Sequence, residues 1–357
     1  MQEVQPAWHP EAYARRRPNL VKRSAITAAI RKFFLEDGFM EVETPILQVS
    51  PGMEPHLQAF STKLRAPDGQ CSKFYLHTSP EFACKKLLTA GEERLFTLAR
   101  VFRNGERARW HHPEFTMLEW YRAGASYEQL MEDCAGLLQA CAAAAGSWKV
   151  THEGRSCDLS EAPERISVAE AFERWAGIDL LATTPDPWTP DVELLAKAAR
   201  KKGLRVAEDD DWLAVFTRIM LAFIEPQLGS PRPTILYDYP VSQAALSRAK
   251  PSDPRLAERF ELYVAGVELA NAFGELTDAQ EQRRRFEADQ NLKEHLYGER
   301  FPADEDFFAA LDFGMPDAAG IALGVDRLVM LLTGASRIEE VLWLPVAPRG
   351  SPLSDEN

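Results

Sequence analysis

His112-Pro113-Glu114-Phe115-Thr116-Met117-Leu118-Glu119-Trp120-Tyr121 decides the fold. Its period-two alternation makes it a strand, with Phe115, Met117, Glu119 and Tyr121 on one face. Three of these side chains can serve a ligand: an aromatic ring, a carboxylate and a phenol. Glu119 lies between Leu118 and Trp120, and an unpaired carboxylate buried there is unfavourable. Glu119 and Tyr121 point into one cavity, where a carboxylate beside a phenol suits an ammonium group. The plainer alternative is a half-buried strand with one accidental acid.

Upstream, Leu95 to Phe102 reads as the preceding strand of an antiparallel sheet, joined to the first by a polar, basic loop from Asn104 to Pro113. In Phe102-Arg103-Asn104-Gly105-Glu106 an arginine leaves the strand end. Its charge can stabilise an α-phosphate under attack by a carboxylate, although a strand-end arginine is also a common surface ion pair. Further upstream, Thr78-Ser79-Pro80-Glu81 is an ordinary helix start, with Ser79 capping and Pro80 at the first helical position.

Downstream, Glu268-Leu269-Ala270-Asn271-Ala272-Phe273-Gly274-Glu275 carries two acids seven apart. The segment reads as a strand bearing Glu268, then a bend that returns Glu275 to the same site. Taken alone, it fits a solvated acidic turn better than a metal site. In Gly320-Ile321-Ala322-Leu323-Gly324-Val325-Asp326-Arg327-Leu328 the glycines permit close approach of a nucleotide. Arg327 at the helix entry is placed to clamp terminal phosphates with the amides there. A lone G-x-x-x-G is often only packing. No G-x-x-x-x-G-K-[ST] phosphate loop occurs.

The 357 residues are 45% hydrophobic, enough for a substantial core. Basic residues number 41 and acidic 54, a net charge of -13 that leans against a polyanionic partner such as tRNA and suits a basic protein better. Solubility alone is the blander cause. The five cysteines, Cys71, Cys84, Cys134, Cys141 and Cys157, include no C-x-x-C pair and read as reduced thiols. His111 and His112 are adjacent, a poor arrangement for shared metal ligation on a strand. With no apolar run of membrane length and no export signal, a cytoplasmic location is expected.

Residues 1–19, polar and proline-rich, are expected to form an irregular extension. One domain then spans 20–346, with a helical insertion at about 185–230, and 347–357 is a polar tail. Ser24 reads as the N-cap of a helix whose apolar face is Ile26, Ala29, Ile30, Phe33 and Phe34, ending at Gly38 before a short strand from Glu41. Tyr127 to Ala145 is an amphipathic helix. In the insertion, a helix from about Asp211 is expected to turn Leu213, Phe216, Ile219, Met220 and Phe223 inward.

Together, Gly38 to Pro45, Phe102 to Tyr121 and Gly320 to Leu328 resemble the catalytic domain of a class II aminoacyl-tRNA synthetase, nearest the lysyl branch. The resemblance runs from Val21 to Pro345. It implies an α+β fold, an antiparallel sheet flanked by helices, and a homodimer through residues 24–45. It also implies ATP and Mg2+ as cofactors. Arg103 and Arg327 would be catalytic, and Glu106, His111, Glu114 and Phe115 would join them around ATP, with Phe115 stacking on the purine and Glu114 receiving its amino group. Glu268 and Glu275 would hold magnesium. Ser79, Glu81, Glu119, Tyr121, Asn271 and Ala322 would surround the amino acid.

Two departures from the tRNA-charging enzymes stand out. Only 37 residues precede Gly38, so an anticodon-binding domain ahead of it is not expected. Ala322 stands where lysyl enzymes have glycine, and its methyl would favour a substrate whose amino group lies one carbon further along. Both departures resemble the elongation factor P lysyl-modification ligases. That family activates (R)-β-lysine, supplied by a lysine 2,3-aminomutase, and transfers it to a lysine ε-amino group of elongation factor P. Ala272, where that family has glycine, puts the detailed substrate preference in question. The alternatives are a lysyl-type enzyme charging tRNA and an inert dimeric regulatory paralogue.

Overall fold

The computed structural model describes residues 5–346. Strands Arg94–Phe102 and Glu114–Ala123 pair antiparallel, from Arg94 opposite Arg122 to Phe102 opposite Glu114. The second also pairs with Ala318–Gly324, which sets Glu119 opposite Ala322. Ala318–Gly324 in turn pairs with Val267–Gly274, setting Ala322 opposite Asn271. Asp253–Val264 and Thr234–Pro240 extend the antiparallel ladder. Short parallel strands, Met40–Glu41 and Glu164–Ser167, finish its two edges. The expected antiparallel sheet flanked by helices is what the chain forms.

The two faces of the sheet have different fates, as the pleat requires. Thr116, Leu118 and Trp120 face helices Pro10–Glu36, Tyr127–Ala145 and Val325–Thr333, where the main core lies. Phe34 stacks on Phe96 at 4.9 Å and Trp120 donates its indole N–H to Asp133 at 3.1 Å. Asp133 also takes Arg122 at 2.8 Å, so no charge is left alone in this core. The other face carries Phe115, Met117, Glu119 and Tyr121 toward a cavity. Helices Glu81–Thr89, Ala279–Tyr297 and Glu305–Gly314 flank that side, with Phe82 and Phe307 stacked at 4.3 Å.

Two expectations are corrected. The first helix starts at Pro10 and not at Ser24, so residues 10–19 are helical. Pro10 sits at the start, where no N–H is needed, while Pro18 lies inside and forfeits a backbone hydrogen bond. Tertiary anchors hold the helix nonetheless. Arg16 donates to the carbonyls of Leu342 at 2.6 Å and Ala7 at 2.7 Å, and buried Arg23 pairs with Asp326. In the insertion, Asp211 caps a helix from Trp212, and Trp212, Val215, Phe216 and Ile219 are buried. Leu213 faces solvent, because the i, i+3, i+4 stripe runs through Trp212. The insertion's core also reaches back to Ile166 and Phe172.

Cys71 is exposed, the other four cysteines are buried, and all five are free. Among the described residues no helix is long and apolar enough to cross a membrane. The polar tail lies outside the described residues.

Candidate active site

The cavity opens on the sheet face that carries Phe115, Met117, Glu119 and Tyr121. At one end three carboxylates converge. Ser79 Oγ donates to Glu119 at 2.6 Å, and Tyr121 donates to its other oxygen at 2.7 Å. The Ser79 hydroxyl also accepts the Glu81 backbone N–H at 3.1 Å, but the helix starts at Glu81 with Pro80 at its cap, one residue later than expected. Glu81 and Glu275 both pair with Lys85, at 2.5 and 2.6 Å. Burial pushes the Glu119 carboxyl up to about 8; nearby Glu81 adds to this, and the Ser79 and Tyr121 hydrogen bonds oppose it. Burial alone would lower the Lys85 ammonium, but Glu275 and Glu81 outweigh it and hold it above its ordinary range. Glu81 and Glu275 share one lysine, and Glu119 beside them has no cation of its own.

The other end is cationic. Arg103 stands 3.9 Å from Glu106, with its guanidinium 5.2 Å from the centre of the Phe115 ring. Its Nε is buried without a hydrogen-bond partner. Arg327 donates to the Glu268 carbonyl at 3.1 Å and to His111 Nε2 at 2.7 Å. An arginine can only donate, so His111 Nε2 accepts and its proton sits on Nδ1. Burial and then Arg327 lower the His111 pKa, which keeps the ring neutral. Asp326 works behind the wall: its Oδ2 accepts the Thr116 N–H at 2.6 Å while it pairs with Arg23.

Glu268 and Glu275 do not meet. Val267–Gly274 is one strand, and Glu275 continues its ladder by donating to Ala318. At ~3.3 Å per residue the two Cα atoms stand roughly 20 Å apart, too far for carboxylates to share an ion bound at ~2 Å. Seven is also an odd spacing, which ought to place the two acids on opposite faces. Both line the cavity because the register shifts between Leu262 and Tyr263, where Leu269 is an extra residue. A bulge, and not a bend, brings Glu268 to this face. Glu275 pairs with Lys85 at the carboxylate end. Desolvation raises the Glu268 pKa, Glu261 raises it further, and Arg327, Arg259 and Arg103 oppose. Among the described residues no three His, Cys, Asp or Glu side chains are arranged to hold a metal ion.

Asn271 and Ala322 line the cavity as expected, and Asn271 Oδ1 accepts from Arg259 Nε at 3.1 Å. Ala272 points the other way, fully buried in the main core, so its methyl does not narrow the cavity. Glu114 also lies off the cavity: it is one residue out of phase with Phe115, and its carboxylate faces Arg100 at 4.0 Å. Gly320 is required by close approach. A Cβ there would stand 2.2 Å from Glu275 Oε1 and 2.3 Å from the Tyr121 ring.

Four contributors were not anticipated from sequence. Lys85 lies four residues after Glu81, a helical pair spacing that could have signalled it. Glu54 enters the cavity on the loop before the Ser61–Arg65 strand. Arg259 and Glu261 pair at 2.6 Å beside Asn271, with Tyr239 and Tyr263 each donating to Glu261 at 2.6 Å. No local periodicity marks the last two.

Residues 12–348 match the family of class II tRNA synthetases of the D, K and N type. The elongation factor P–(R)-beta-lysine ligase of Haemophilus influenzae strain PittGG is 40% identical over 340 residues, covering 95% of this chain and 97% of the relative. The ligase of the same description from Proteus mirabilis is 40% identical over 342 residues, with 95% and 97% covered. That from Mannheimia succiniciproducens is 41% identical over 339 residues, with the same shares. With its sheet, its strand-end arginines and almost its whole length matched, the chain belongs to the class II tRNA synthetase family of the D, K and N type.

Proposed function

We propose that this chain is an ATP-dependent, AMP-forming ligase that activates (R)-β-lysine and transfers it to a lysine ε-amino group of elongation factor P. One observation carries the reading: a single cavity sets the Glu81, Glu119 and Glu275 carboxylates at one end against Arg103 and Arg327 at the other. A molecule with two ammonium groups, joined through its carboxylate to a nucleotide phosphate, satisfies both ends. The relatives of 40–41% identity point to the same substrate pair.

The chemistry asked of the protein is alignment and charge neutralisation. Glu119, with Ser79 and Tyr121, would hold the distal ammonium, and Glu81 and Asn271 the nearer amino group. Arg103 would neutralise the α-phosphate as the substrate carboxylate attacks it and pyrophosphate leaves. Arg327, steadied by neutral His111, would hold the terminal phosphates, and Phe115 would stack on the purine. Glu268 offers the hard oxygen that magnesium prefers, and the ion would offset triphosphate charge there. The substrate would come from a lysine 2,3-aminomutase. A homodimer through residues 24–45 is supported by Leu35 and Met40, both 54% exposed on that face. The net charge of -13 favours a protein acceptor over tRNA.

ATP–pyrophosphate exchange should be stimulated more by β-lysine than by α-lysine. Radiolabelled β-lysine should then pass to purified elongation factor P and not to bulk tRNA. Equal or greater stimulation by α-lysine would remove the substrate assignment, and label on tRNA alone would remove the acceptor.

A further inference from the structure

We propose that Glu54 is the catalytic residue of the transfer step: it receives the ammonium of the incoming acceptor lysine and takes its proton. This rests on the reading above, in which an amine attacks an aminoacyl adenylate. Such an attack needs a neutral nitrogen, and a lysine side chain near neutral pH is an ammonium. Something in the cavity has to accept a proton between the two ends, where the adenylate carbonyl would lie.

Glu54 is exposed to solvent and so open to an incoming amine. It lines the cavity, and the charged groups that act on it come from both ends: Arg103 and Glu106 from the cationic side, Glu81 from the carboxylate side, and Arg259 from the sheet floor. Asp289, on the helix behind the loop, faces it as well. Among the described residues its carboxylate makes no hydrogen bond or ion pair, whereas Glu119, Glu81 and Glu275 are all engaged by neighbours.

The loop that carries it is anchored on either side of it. Gln282 Nε2 donates to Met53 Sδ at 3.2 Å and Gln290 Nε2 to the Met53 carbonyl at 3.3 Å. Lys293 Nζ donates to the carbonyls of Pro55 at 3.2 Å and Leu57 at 2.8 Å. All three anchors are fully buried on one helix. Buried polar side chains are costly unless they are used, and here they fix the residues flanking a solvent-exposed acid. The protein packed around this exposed carboxylate raises the Glu54 pKa, with Glu81 and Glu106 adding to it and Arg103 and Arg259 opposing.

The step balances. An N–H bond of the acceptor ammonium breaks and its proton goes to Glu54. The freed lone pair forms the C–N bond at the adenylate carbonyl. The C–O bond to phosphate then breaks, its electron pair leaves with AMP, and the second nitrogen proton departs to solvent.

The test separates the two half-reactions. Glu54→Gln should slow single-turnover transfer from preformed adenylate to the acceptor by roughly 100-fold. It should reduce β-lysine-dependent ATP–pyrophosphate exchange at least tenfold less than that. Glu54→Asp, which keeps a proton acceptor, should retain more transfer than Glu54→Gln. Raising the pH toward 10 should restore transfer by Glu54→Gln, since the acceptor amine then deprotonates unaided. Wild-type transfer rates in Glu54→Gln, or equal losses in both half-reactions, would overturn the assignment. So would a raised KM for β-lysine with transfer intact, which would make Glu54 a substrate-binding group. If wild-type enzyme leaves elongation factor P unlabelled while hydroxylamine still traps a β-lysyl adenylate, the acceptor is wrong. Glu54 is then judged by the same comparison with Nα-acetyl-lysine as the amine.

Discussion

At the carboxylate end of the cavity, four hydrogen bonds and ion pairs of 2.5–2.7 Å join Ser79, Lys85 and Tyr121 to three acids. At the phosphate end, Arg103 is 3.9 Å from its nearest acid and one of its nitrogens has no partner. The first end is wired before substrate arrives, so its geometry can discriminate. The second leaves cationic capacity for a large, highly charged ligand to use. On the proposed reading, selectivity for the amino acid and capacity for the nucleotide reside in differently built halves of one sheet face.

The sharpest way to break this contrast is to remove its central cation. Lys85→Met leaves Glu81 and Glu275 buried without their partner, and breaking a buried pair costs about 3–5 kcal/mol. Urea or thermal unfolding should show this loss, and saturating β-lysine should recover part of it by supplying ammonium charge. Arg103→Met should shift stability by only about 0.5 kcal/mol while abolishing exchange. Similar stability losses in the two variants would mean that the ends are wired alike.

Glu119→Gln comes next. Losing one desolvated charge pair should lower kcat/KM for the amino acid by roughly 2–5 kcal/mol of transition-state binding, with KM for ATP little changed. The effect should depend on pH. The Glu119 carboxyl is raised from 4.5 to about 8 in the folded protein, so the native state binds the extra proton. Stability from this group is therefore greatest at low pH and falls as pH rises from about 4.5 to about 8. Substrate binding runs the other way, since an ammonium prefers the ionised form. β-Lysine affinity should rise between pH 6 and 8, and calorimetry in buffers of different ionisation heat should detect up to one proton released. No release at pH 7 would show that Glu119 is already ionised.

Much of the wired end is legible in sequence because it follows local periods. Phe115, Glu119 and Tyr121 share a face by strand alternation, and Ser79 and Glu81 sit at a recognisable helix start. Arg103 and Arg327 stand where a strand ends and a helix begins. What is not legible depends on partners distant in sequence. The bulge at Leu269 exists only against Asp253–Val264, so Glu268 and Glu275 look like a local pair when they serve opposite ends. Glu54 gains its position from Gln282, Gln290 and Lys293, more than 220 residues away. Pro18 reads as a helix breaker because the anchors that outweigh it, Arg16 and Arg23, find their partners near residues 326–342.

The smallest expected effect compares two alanines one strand apart. Ala322 lines the cavity, in register with both Glu119 and Asn271. Ala272 is fully buried on the opposite face, against the helical layer. Removing a methyl from the wired end should widen it where an α-amino group would sit. Ala322→Gly should therefore raise the α-lysine to β-lysine ratio of kcat/KM by about tenfold, the low end of what one methylene can decide. Ala272→Gly should leave that ratio within about twofold and instead cost about 1 kcal/mol of stability, from backbone freedom and a lost core methyl. The two variants change the same atoms in neighbouring backbones, so a difference between them isolates the face. Equal shifts in the ratio would place substrate selection in the strand spacing and not in the side chains that meet the ligand.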